Sequence, residues 1–320
     1  MSTYIQAPII VQESEVKALL PQLDVLSAMR CLFESLGAGN AVQPQQQLVE
    51  FPNGQGDFIN YLGVMSAEKV YGIKTSPYIK TDGKPLVTAW SMLMSMETGT
   101  PLLIADASLL TTLRTAATTA LAIDHLAPKD SKRLAVIGSG PIALAHIEFV
   151  KGLREWEKIS IHSLEISSLS EEQREAILAI DTRITLCELQ SKTVSNADVV
   201  MLCTSSPKPV LHTEILGQPT LITSISTNAY RAHEIAPEEL PKMDVYCDYR
   251  HTTPLAAGEM VIATERKLWS TESLVGDLAE LSNSTAPLPK YDRHVFFRSI
   301  GLGLEDVAIS LELYKALTQR

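Results

Sequence analysis

The sequence predicts an α/β protein, in which a Rossmann-type, doubly wound parallel sheet is joined to a mixed α+β domain. Three observations predict this class. The chain has 320 residues, about twice the usual length of a domain. After Lys132, strand-like and helix-like segments alternate, as they do in parallel sheets. Before it, residues 58–105 hold short apolar runs separated by turns, which is typical of antiparallel strands.

The composition, with 45% hydrophobic and 20% charged residues, is that of an ordinary globular protein. The 27 basic and 37 acidic residues give a net charge of −10, which argues against a nucleic acid or an anionic membrane as partner. The four cysteines form no CxxC pair and no Cys/His cluster, so neither a metal site nor a disulfide framework is predicted. With no signal-like or membrane-spanning run, the sequence predicts a cytoplasmic protein.

The elements of the first half follow from local patterns. Apolar residues at helical spacing predict a helix that Asp24 caps and Gly37 ends. Residues 37–57 are rich in Gly, Asn, Gln and Pro and predict loop and irregular strand. The β region of residues 58–105 comes next, and a long helix is predicted from about Leu109 to Leu126.

The second half opens with a strand, a glycine-rich turn and a helix in RLAVIGSGPIALAHIEFVKGL. Further strands are predicted in EKISIHSL, RITLCEL, NADVVMLC, PTLITSIST and MDVYCDY, and a helix in SEEQREAILAI. The last segment, GLEDVAISLELYKALTQR, has the period of an amphipathic helix.

The glycine-rich turn is the clearest functional signal. Gly138, Gly140 and Ala143 form G-x-G-x-x-A between the strand LAVI and a helix. The first glycine permits a tight turn, the second lets the backbone approach a pyrophosphate, and the small third residue lets helix and strand pack closely. The helix N-terminus would face the anion. The pattern predicts a dinucleotide site; the alternative is a turn that binds nothing. The other predicted contacts in this turn are Ser139, Pro141 and Ile142.

The end of the second predicted strand should choose between NAD and NADP. The candidate position is Ser163, about 20 residues beyond the glycines, where an acidic residue would bind the ribose 2′-hydroxyl and repel a 2′-phosphate. Ser163 is neutral and no arginine follows it, although His162 could contribute. The predicted cofactor is therefore NADPH or NADH.

Four segments carry a family resemblance: TGTPLLIADASLLTTLRTAATTALA, VIGSGPIA, ADVVMLCTSS and FFRSIGLGLEDVA. Together they resemble the ornithine cyclodeaminase/mu-crystallin family over nearly the whole chain. The family includes ornithine cyclodeaminases, ketimine reductases, amino-acid dehydrogenases and a hormone-binding crystallin. The resemblance implies a homodimer. It also implies a domain for substrate binding and dimerisation, residues 1–114 with 300–320, and an NAD(P)-binding Rossmann domain, residues 115–299.

The resemblance assigns the substrate-binding lysine to Lys74 in YGIKTS and a helix arginine to Arg114 in TLRTAA. A buried arginine needs a partner, and a substrate carboxylate or a cofactor phosphate would satisfy it bidentately. The alternatives are a structural salt bridge for Arg114 and an exposed strand lysine for Lys74. The resemblance also implies cofactor contacts at Thr88, Arg114, Thr204 and Ser299, and substrate contacts at Gln46, Thr227, Asn228 and Ser299. Ser224 and Ser226 come at the next predicted strand and are candidates to line the nicotinamide. The alternative for Thr204, Ser224, Ser226 and Ser299 is a hydroxyl that only caps or forms a turn. His233 and Glu234 are interpreted as surface or helix-start residues.

Two positions depart from the cyclodeaminase pattern. Gln46 stands where the family has a substrate-facing arginine, and Asn228 stands where cyclodeaminases have a catalytic aspartate. An amide is not a usable base, so ornithine cyclodeamination is disfavoured. Reduction of a ready-made imine does not need that base; the site has only to hold and orient the substrate.

The sequence therefore predicts an NAD(P)H-dependent ketimine reductase that converts Δ1-pyrroline-2-carboxylate to L-proline. The six-membered analogue, Δ1-piperideine-2-carboxylate, is a second predicted substrate and would give L-pipecolate. The catalytic set would be Lys74, Arg114 and Asn228. Three alternatives stay open: an alanine-type amino-acid dehydrogenase, an ornithine cyclodeaminase, and a non-catalytic binding protein of the crystallin type.

Overall fold

The computed structural model describes residues 7–226 and 230–319, and the chain divides into two compact units. The first unit is Met1–Thr115 with Gly301–Arg320, and the second is Ala116–Ile300. The chain passes between the units twice, and both boundaries expected from the sequence lie one residue earlier than those of the structure. Each unit contains one eight-stranded sheet.

The first unit is built on a mostly antiparallel sheet, in the order β1-β8-β7-β5-β4-β2, with β3 also on β4 and β6 also on β5. Its strands are β1 (Ile9–Val11), β2 (Ala41–Val42), β3 (Gln47–Glu50), β4 (Gly56–Met65), β5 (Val70–Ile79), β6 (Leu86–Val87), β7 (Trp90–Ser95) and β8 (Pro101–Asp106). Among the strands described in this unit, only the β1–β8 pair is parallel. The first helices are α1 (Glu13–Leu19), α2 (Val25–Gly37) and α3 (Ser108–Leu126), and α3 continues into the second unit.

Two predictions in this unit have different outcomes. Asp24 caps α2 by accepting a hydrogen bond from the Ser27 N–H, 3.1 Å, and the helix ends at Gly37, so the predicted helix is confirmed. Residues 37–57, expected to be loop and irregular strand, contain β2 and β3. All four residues of β3 are exposed, and an exposed strand gives no alternation of polar and apolar residues.

The second unit has an all-parallel sheet in the order β11-β10-β9-β12-β13-β16-β14-β15. Its strands are β9 (Arg133–Ile137), β10 (Lys158–His162), β11 (Ile184–Leu186), β12 (Val199–Leu202), β13 (Leu221–Ser224), β14 (Asp244–Cys247), β15 (Leu274–Asp277) and β16 (Val295–Arg298). Its own helices are α4 (Pro141–Val150), α5 (Glu171–Leu178), α6 (Gln190–Val194), α7 (Thr253–Ala256), α8 (Gly258–Glu265) and α9 (Leu278–Ser282). The order reverses between β9 and β12, which is where doubly wound sheets bind ligands at the strands' carboxyl ends. The predicted α/β class is confirmed.

The chain returns to the first unit through α10 (Gly303–Thr318), which packs on α2 and on strands β4 and β5. The sequence predicts an amphipathic helix, but residues 303–311 are all buried. The prediction is wrong for this first part, because Glu305 and Asp306 lie inside the unit, where they neutralise buried cations. Within the described ranges of the chain, no helix has the length and apolar character needed to cross a bilayer.

Candidate active site

The first unit places Lys74 and Arg114 in one buried cluster with two carboxylates of α10. Lys74 Nζ lies 3.0 Å from Asp306 Oδ2. Arg114 Nε donates to Asp306 Oδ1, 3.0 Å, and its Nη1 donates to Glu305 Oε2, 2.8 Å. Asp306 therefore bridges the two cations, and the four charges balance.

The environment of Lys74 weakens its hold on a proton. Its side chain leaves β5 opposite Tyr61 of β4, and Nζ lies 4.1 Å from the centre of the Tyr61 ring. Only 1% of Lys74 is exposed, and burial lowers its pKa to about 8, although Asp306 acts in the opposite direction. Lys74 is thus a cation at neutral pH that can release its proton in mildly alkaline solution.

Arg114 holds its proton more firmly than Lys74 does. Burial opposes its charge, but Asp306 and Glu305 outweigh burial and hold the pKa of Arg114 above its usual value. Gly301 packs against the guanidinium: a Cβ there would overlap Nη1, and the backbone φ of +77° also favours glycine. Gln46 Nε2 donates to the Gly301 carbonyl, 2.8 Å.

The structure thus brings together three of the predicted substrate residues, Gln46, Lys74 and Arg114. Both cations have carboxylate partners from the chain itself, so Arg114 does form the salt bridge of the alternative interpretation, and Lys74 is not an exposed strand lysine. Gln46 is only half-buried and is the most accessible of the three. That these residues bind substrate stays a prediction.

The glycine-rich turn of the second unit has the features a pyrophosphate site needs. Gly138 has a φ of +127°, and a Cβ on it would overlap the carbonyl of Cys203. Gly140 is the N-cap of α4, has open space on its Cβ side, and offers no side-chain cap to the helix. Backbone N–H groups at a helix start bind anions when nothing else caps them, so the turn fits the diphosphate of a dinucleotide.

The end of β10 carries the residues expected beside the adenosine ribose. The Ser139 hydroxyl donates to the Ser163 hydroxyl, 2.8 Å, which joins the turn to this strand end. His162 Nδ1 lies 3.0 Å from the Cys187 carbonyl, so this ring is engaged by the neighbouring strand. The side chain of Ser163 is neutral, so it does not repel a 2′-phosphate, and both NADPH and NADH fit this position.

Glu234 occupies the carboxyl ends of β12 and β13, and its interpretation as a surface or helix-start residue is wrong. It is fully buried and accepts hydrogen bonds from Thr204, Ser224 and Ser226. These three are predicted cofactor contacts, so the structure does bring them together. His233 beside it is half-buried, with Nδ1 2.7 Å from the Arg231 carbonyl.

The end of β16 is fixed by two further buried carboxylates. Arg298 Nε lies 2.9 Å from Glu259 Oε1, and its Nη1 donates to the carbonyl of Ile225, in the segment that follows β13. Asp248, after β14, accepts from the Ser299 hydroxyl, 3.0 Å. Ser299 is therefore a buried residue with a partner in the chain, and its contact with substrate or cofactor stays a prediction.

Three predicted contacts remain, of which the structure describes one. Thr88 is half-buried in the segment between β6 and β7. Thr227 and Asn228 lie outside the described residues.

Sequence reasoning missed the anions of both units: Glu234, Asp248, Glu259, Glu305 and Asp306. One signal was available for the last two. They are the E-D of the FFRSIGLGLEDVA tail, and a buried lysine and arginine need acidic partners from somewhere in the chain. For the other three, the sequence offers no periodic or motif signal.

The chain matches the sequence model of the ornithine cyclodeaminase/mu-crystallin family over residues 6–320. It is 58% identical over 308 residues to the NAD(P)H-dependent anabolic L-arginine dehydrogenase DauB of Pseudomonas aeruginosa, covering 96% of this chain and 97% of that protein. Among solved structures, an archaeal alanine dehydrogenase dimer with bound NAD has a TM-score of 0.86 at 24% identity, covering 98% of this chain and 96% of that chain. Thermococcus litoralis Δ1-pyrroline-2-carboxylate reductase, in complex with NADH and L-proline, has a TM-score of 0.86 at 21% identity, covering 97% of this chain and 98% of that chain.

These findings confirm the family resemblance. The two structural likenesses support the fold alone. NAD(P)H is the cofactor named for the arginine dehydrogenase, which is 58% identical along 96% of this chain, so the cofactor class that the glycine-rich turn predicts is confirmed.

Proposed function

The chain belongs to the ornithine cyclodeaminase/mu-crystallin family, and we propose that within it this protein is an NAD(P)H-dependent amino-acid dehydrogenase that works in the reductive direction. Its substrates would be ammonia and a 2-keto acid with a guanidino side chain, 2-ketoarginine, and its product L-arginine. The observation that carries the proposal is the 58% identity to an L-arginine dehydrogenase along 96% of the chain. The ketimine reductase predicted from the sequence becomes the second candidate.

The charges of the first unit support a substrate of this kind. In the proposal, Lys74 and Arg114 bind the carboxylate of the substrate, while Glu305 and Asp306 already balance their charges. An added carboxylate needs an added cation, because an unpaired charge in a dry site is costly. The protonated imine nitrogen and the guanidinium of the substrate supply positive charge, which suits a site with Gln46 in place of an arginine.

The chain's own groups would divide the work as follows. The turn at Gly138 and Gly140 and the start of α4 would hold the diphosphate, and Ser163 would lie beside the adenosine ribose. When bound, the nicotinamide would supply the hydride that reduces the imine carbon. Lys74 holds a proton at Nζ at neutral pH, and with a pKa of about 8 it can donate that proton to the hydroxyl that leaves as ammonia and keto acid condense.

The second candidate is reduction of a cyclic imine, with Δ1-pyrroline-2-carboxylate and its six-membered analogue as substrates. Asn228 in place of an aspartate favours it over ornithine cyclodeamination, because the imine arrives ready-made. Both candidates reduce a protonated C=N bond next to a carboxylate and differ in whether ammonia is consumed. We also propose a cytoplasmic homodimer; the archaeal alanine dehydrogenase relative is a dimer.

Consumption of NAD(P)H tests the proposal with four mixtures: 2-ketoarginine with ammonium, pyruvate with ammonium, Δ1-pyrroline-2-carboxylate alone, and no substrate. The first mixture is expected to give a kcat/KM at least about 100-fold above the second, and no turnover when ammonium is left out. Turnover confined to the cyclic imine would establish the second candidate. Turnover confined to pyruvate with ammonium would indicate an alanine-type dehydrogenase. Binding of NAD(P)H without any turnover would indicate a protein of the crystallin type.

A further inference from the structure

One buried carboxylate joins the ends of two neighbouring strands in the second unit. Glu234 Oε1 accepts from the backbone N–H of Thr204, 2.9 Å, and from its hydroxyl, 2.7 Å. Oε2 accepts from the Ser224 hydroxyl, 2.8 Å, and from the backbone N–H of Ser226, 2.9 Å. Thr204 follows β12 and Ser224 ends β13, so a single side chain fixes both strand ends.

The backbone of Glu234 is also fixed by hydrogen bonds. Its carbonyl accepts from the Val210 N–H, 2.8 Å, and the next residue, Ile235, forms an isolated parallel bridge with Leu211. The residue has no exposed surface. Because its backbone is fixed and each carboxylate oxygen has two donors, the side chain has one orientation.

The position of Glu234 in the sheet points to one half of the cofactor. The strand order reverses between β9 and β12, and a dinucleotide lies across that reversal with one nucleotide on each half. The glycine-rich turn and Ser163 follow β9 and β10, the half that takes the adenosine. The nicotinamide nucleotide therefore falls to the strand ends at β12 and β13, which Glu234 joins.

We propose that Glu234 is a positioning residue for the nicotinamide half of the cofactor. It does not touch the cofactor; it holds the backbone after β12 and β13 in the conformation that receives the nicotinamide nucleotide. The inference rests on the proposed use of NAD(P)H and is independent of which imine is reduced.

The substitution Glu234→Gln tests this role because the geometry has no place for an amide. Each oxygen accepts from a backbone N–H, of Thr204 or of Ser226, and a backbone donor cannot be turned around. In either orientation of the glutamine, its NH2 group would face one of these donors. One strand end should then shift, at a cost typical of an unsatisfied buried donor.

The expected result is a difference between two ligands measured by titration calorimetry. Affinity for the cofactor that the wild type prefers should fall about 10-fold or more. Affinity for ADP, or for 2′,5′-ADP if the wild type prefers NADPH, should stay within about twofold, because these ligands occupy only the adenosine half. A purely structural loss would weaken both ligands together.

Glu239→Gln is the matched control. Glu239 is also in the second unit and accepts from the Thr213 hydroxyl and from the exposed Lys242 ammonium, 3.2 Å. It accepts from no backbone N–H among the hydrogen bonds of the described residues. Thr213 can rotate its hydroxyl to suit an amide, so this variant should bind both ligands as the wild type does. Glu234→Asp, with the charge kept and one methylene removed, is measured in parallel and covers the case in which Glu234→Gln does not fold; it should lose cofactor affinity by a smaller factor.

Two outcomes overturn the proposal: wild-type cofactor affinity in the Glu234 variant that folds, or an equal loss of cofactor and ADP. Failure of the wild type to bind NAD(P)H would instead overturn the proposed function, so the two failures are distinguishable.

Discussion

The cluster around Lys74 in the first unit and the cluster around Glu234 in the second unit hold their buried charges in different ways. In the first, Lys74 and Arg114 are bound to the side chains of Glu305 and Asp306. In the second, Glu234 binds mainly to main-chain and hydroxyl donors at strand ends. A cation that is paired with a side-chain carboxylate can also bind a carboxylate that arrives as substrate. A main-chain N–H donor is fixed in place and keeps the same partner. The comparison assigns reversible binding to the first cluster and fixed geometry to the second.

The largest effect is expected when one arginine is removed from each unit. Arg114→Met and Arg298→Met each leave a buried carboxylate uncompensated, so each should lower the free energy of unfolding by about 3–5 kcal/mol. Only Arg114→Met should also remove a direct contact with the substrate carboxylate, worth about 2–4 kcal/mol, and lower kcat/KM roughly 30- to 1,000-fold with a raised KM for the keto acid. Urea unfolding and steady-state kinetics measure the two quantities.

A double variant separates stability from binding in the first unit. Arg114→Met with Glu305→Gln removes the unpaired charge together with its partner and should recover part of the lost stability and none of the lost kcat/KM. A wild-type KM for the keto acid in Arg114→Met would remove this arginine from the substrate site and end the comparison.

The next largest effect is a loss of folding stability in acid, and it arises from a histidine in the second unit. His146 of α4 has Nδ1 2.6 Å from the Ile142 carbonyl and Nε2 3.0 Å from the Thr119 hydroxyl, and burial lowers its pKa to about 4. Between pH 6.5 and about 4 the unfolded chain binds a proton at His146 that the folded chain does not, so stability is lost as the pH falls through this window. The full loss is about 3 kcal/mol.

Urea unfolding at pH 7 and at pH 5 measures about 2 kcal/mol of this loss, because pH 5 lies inside the window. His146→Gln keeps a polar side chain without a group that titrates, and it should remove most of the difference between the two pH values. The same slope in wild type and His146→Gln would assign the acid sensitivity to other groups.

In alkaline solution the group expected to titrate lies in the first unit. Lys74, with a pKa lowered to about 8 by burial, loses its charge as the pH rises above that value. Binding of a carboxylate to Lys74 should weaken about 10-fold for each further pH unit, because only the protonated form attracts an anion. The inhibition constant of 5-guanidinopentanoate, which has no α-amino group of its own to titrate, measures this.

Lys74→Arg is the control for the alkaline effect. An arginine stays charged throughout this range, so the inhibition constant of the variant should be flat from pH 7 to pH 10 whatever its absolute value. A flat profile in the wild type would mean that Lys74 does not bind the carboxylate.

The parts that could be predicted from the sequence are those with local signals. The turn around Gly138 can be predicted because one short segment contains the strand, the glycines and the helix start. The helix α2 could be predicted because the sequence shows the residue that caps it, Asp24, and the residue that ends it, Gly37. Glu234 gave no such signal, because its partners lie 8 to 30 residues earlier in the chain and meet it only through the order of the strands. Arg114 and Glu305 are 191 residues apart, and only the family resemblance associated their segments.

The smallest expected effect is a change of cofactor preference confined to the second unit. Ser163 follows β10 at the position that contacts the adenosine ribose in such folds, and its hydroxyl accepts from Ser139, 2.8 Å. Ser163→Asp would keep an acceptor for Ser139 and add a charge that binds a ribose 2′-hydroxyl and repels a 2′-phosphate. The ratio of kcat/KM for NADPH to that for NADH should fall about 10-fold, or roughly 1.4 kcal/mol.

Ser163→Ala is the matched control for this substitution, because it removes the hydroxyl without adding charge and should change the ratio by less than about threefold. The inhibition constant of 5-guanidinopentanoate should be the same in both variants, since the residues assigned to the carboxylate belong to the first unit. A wild type that strongly prefers NADH would show that another group already selects against the 2′-phosphate, and Ser163 would then not be the residue that decides. An inhibition constant that changes with Ser163→Asp would mean that the two clusters are coupled, and that the separation of reversible binding from fixed geometry does not hold.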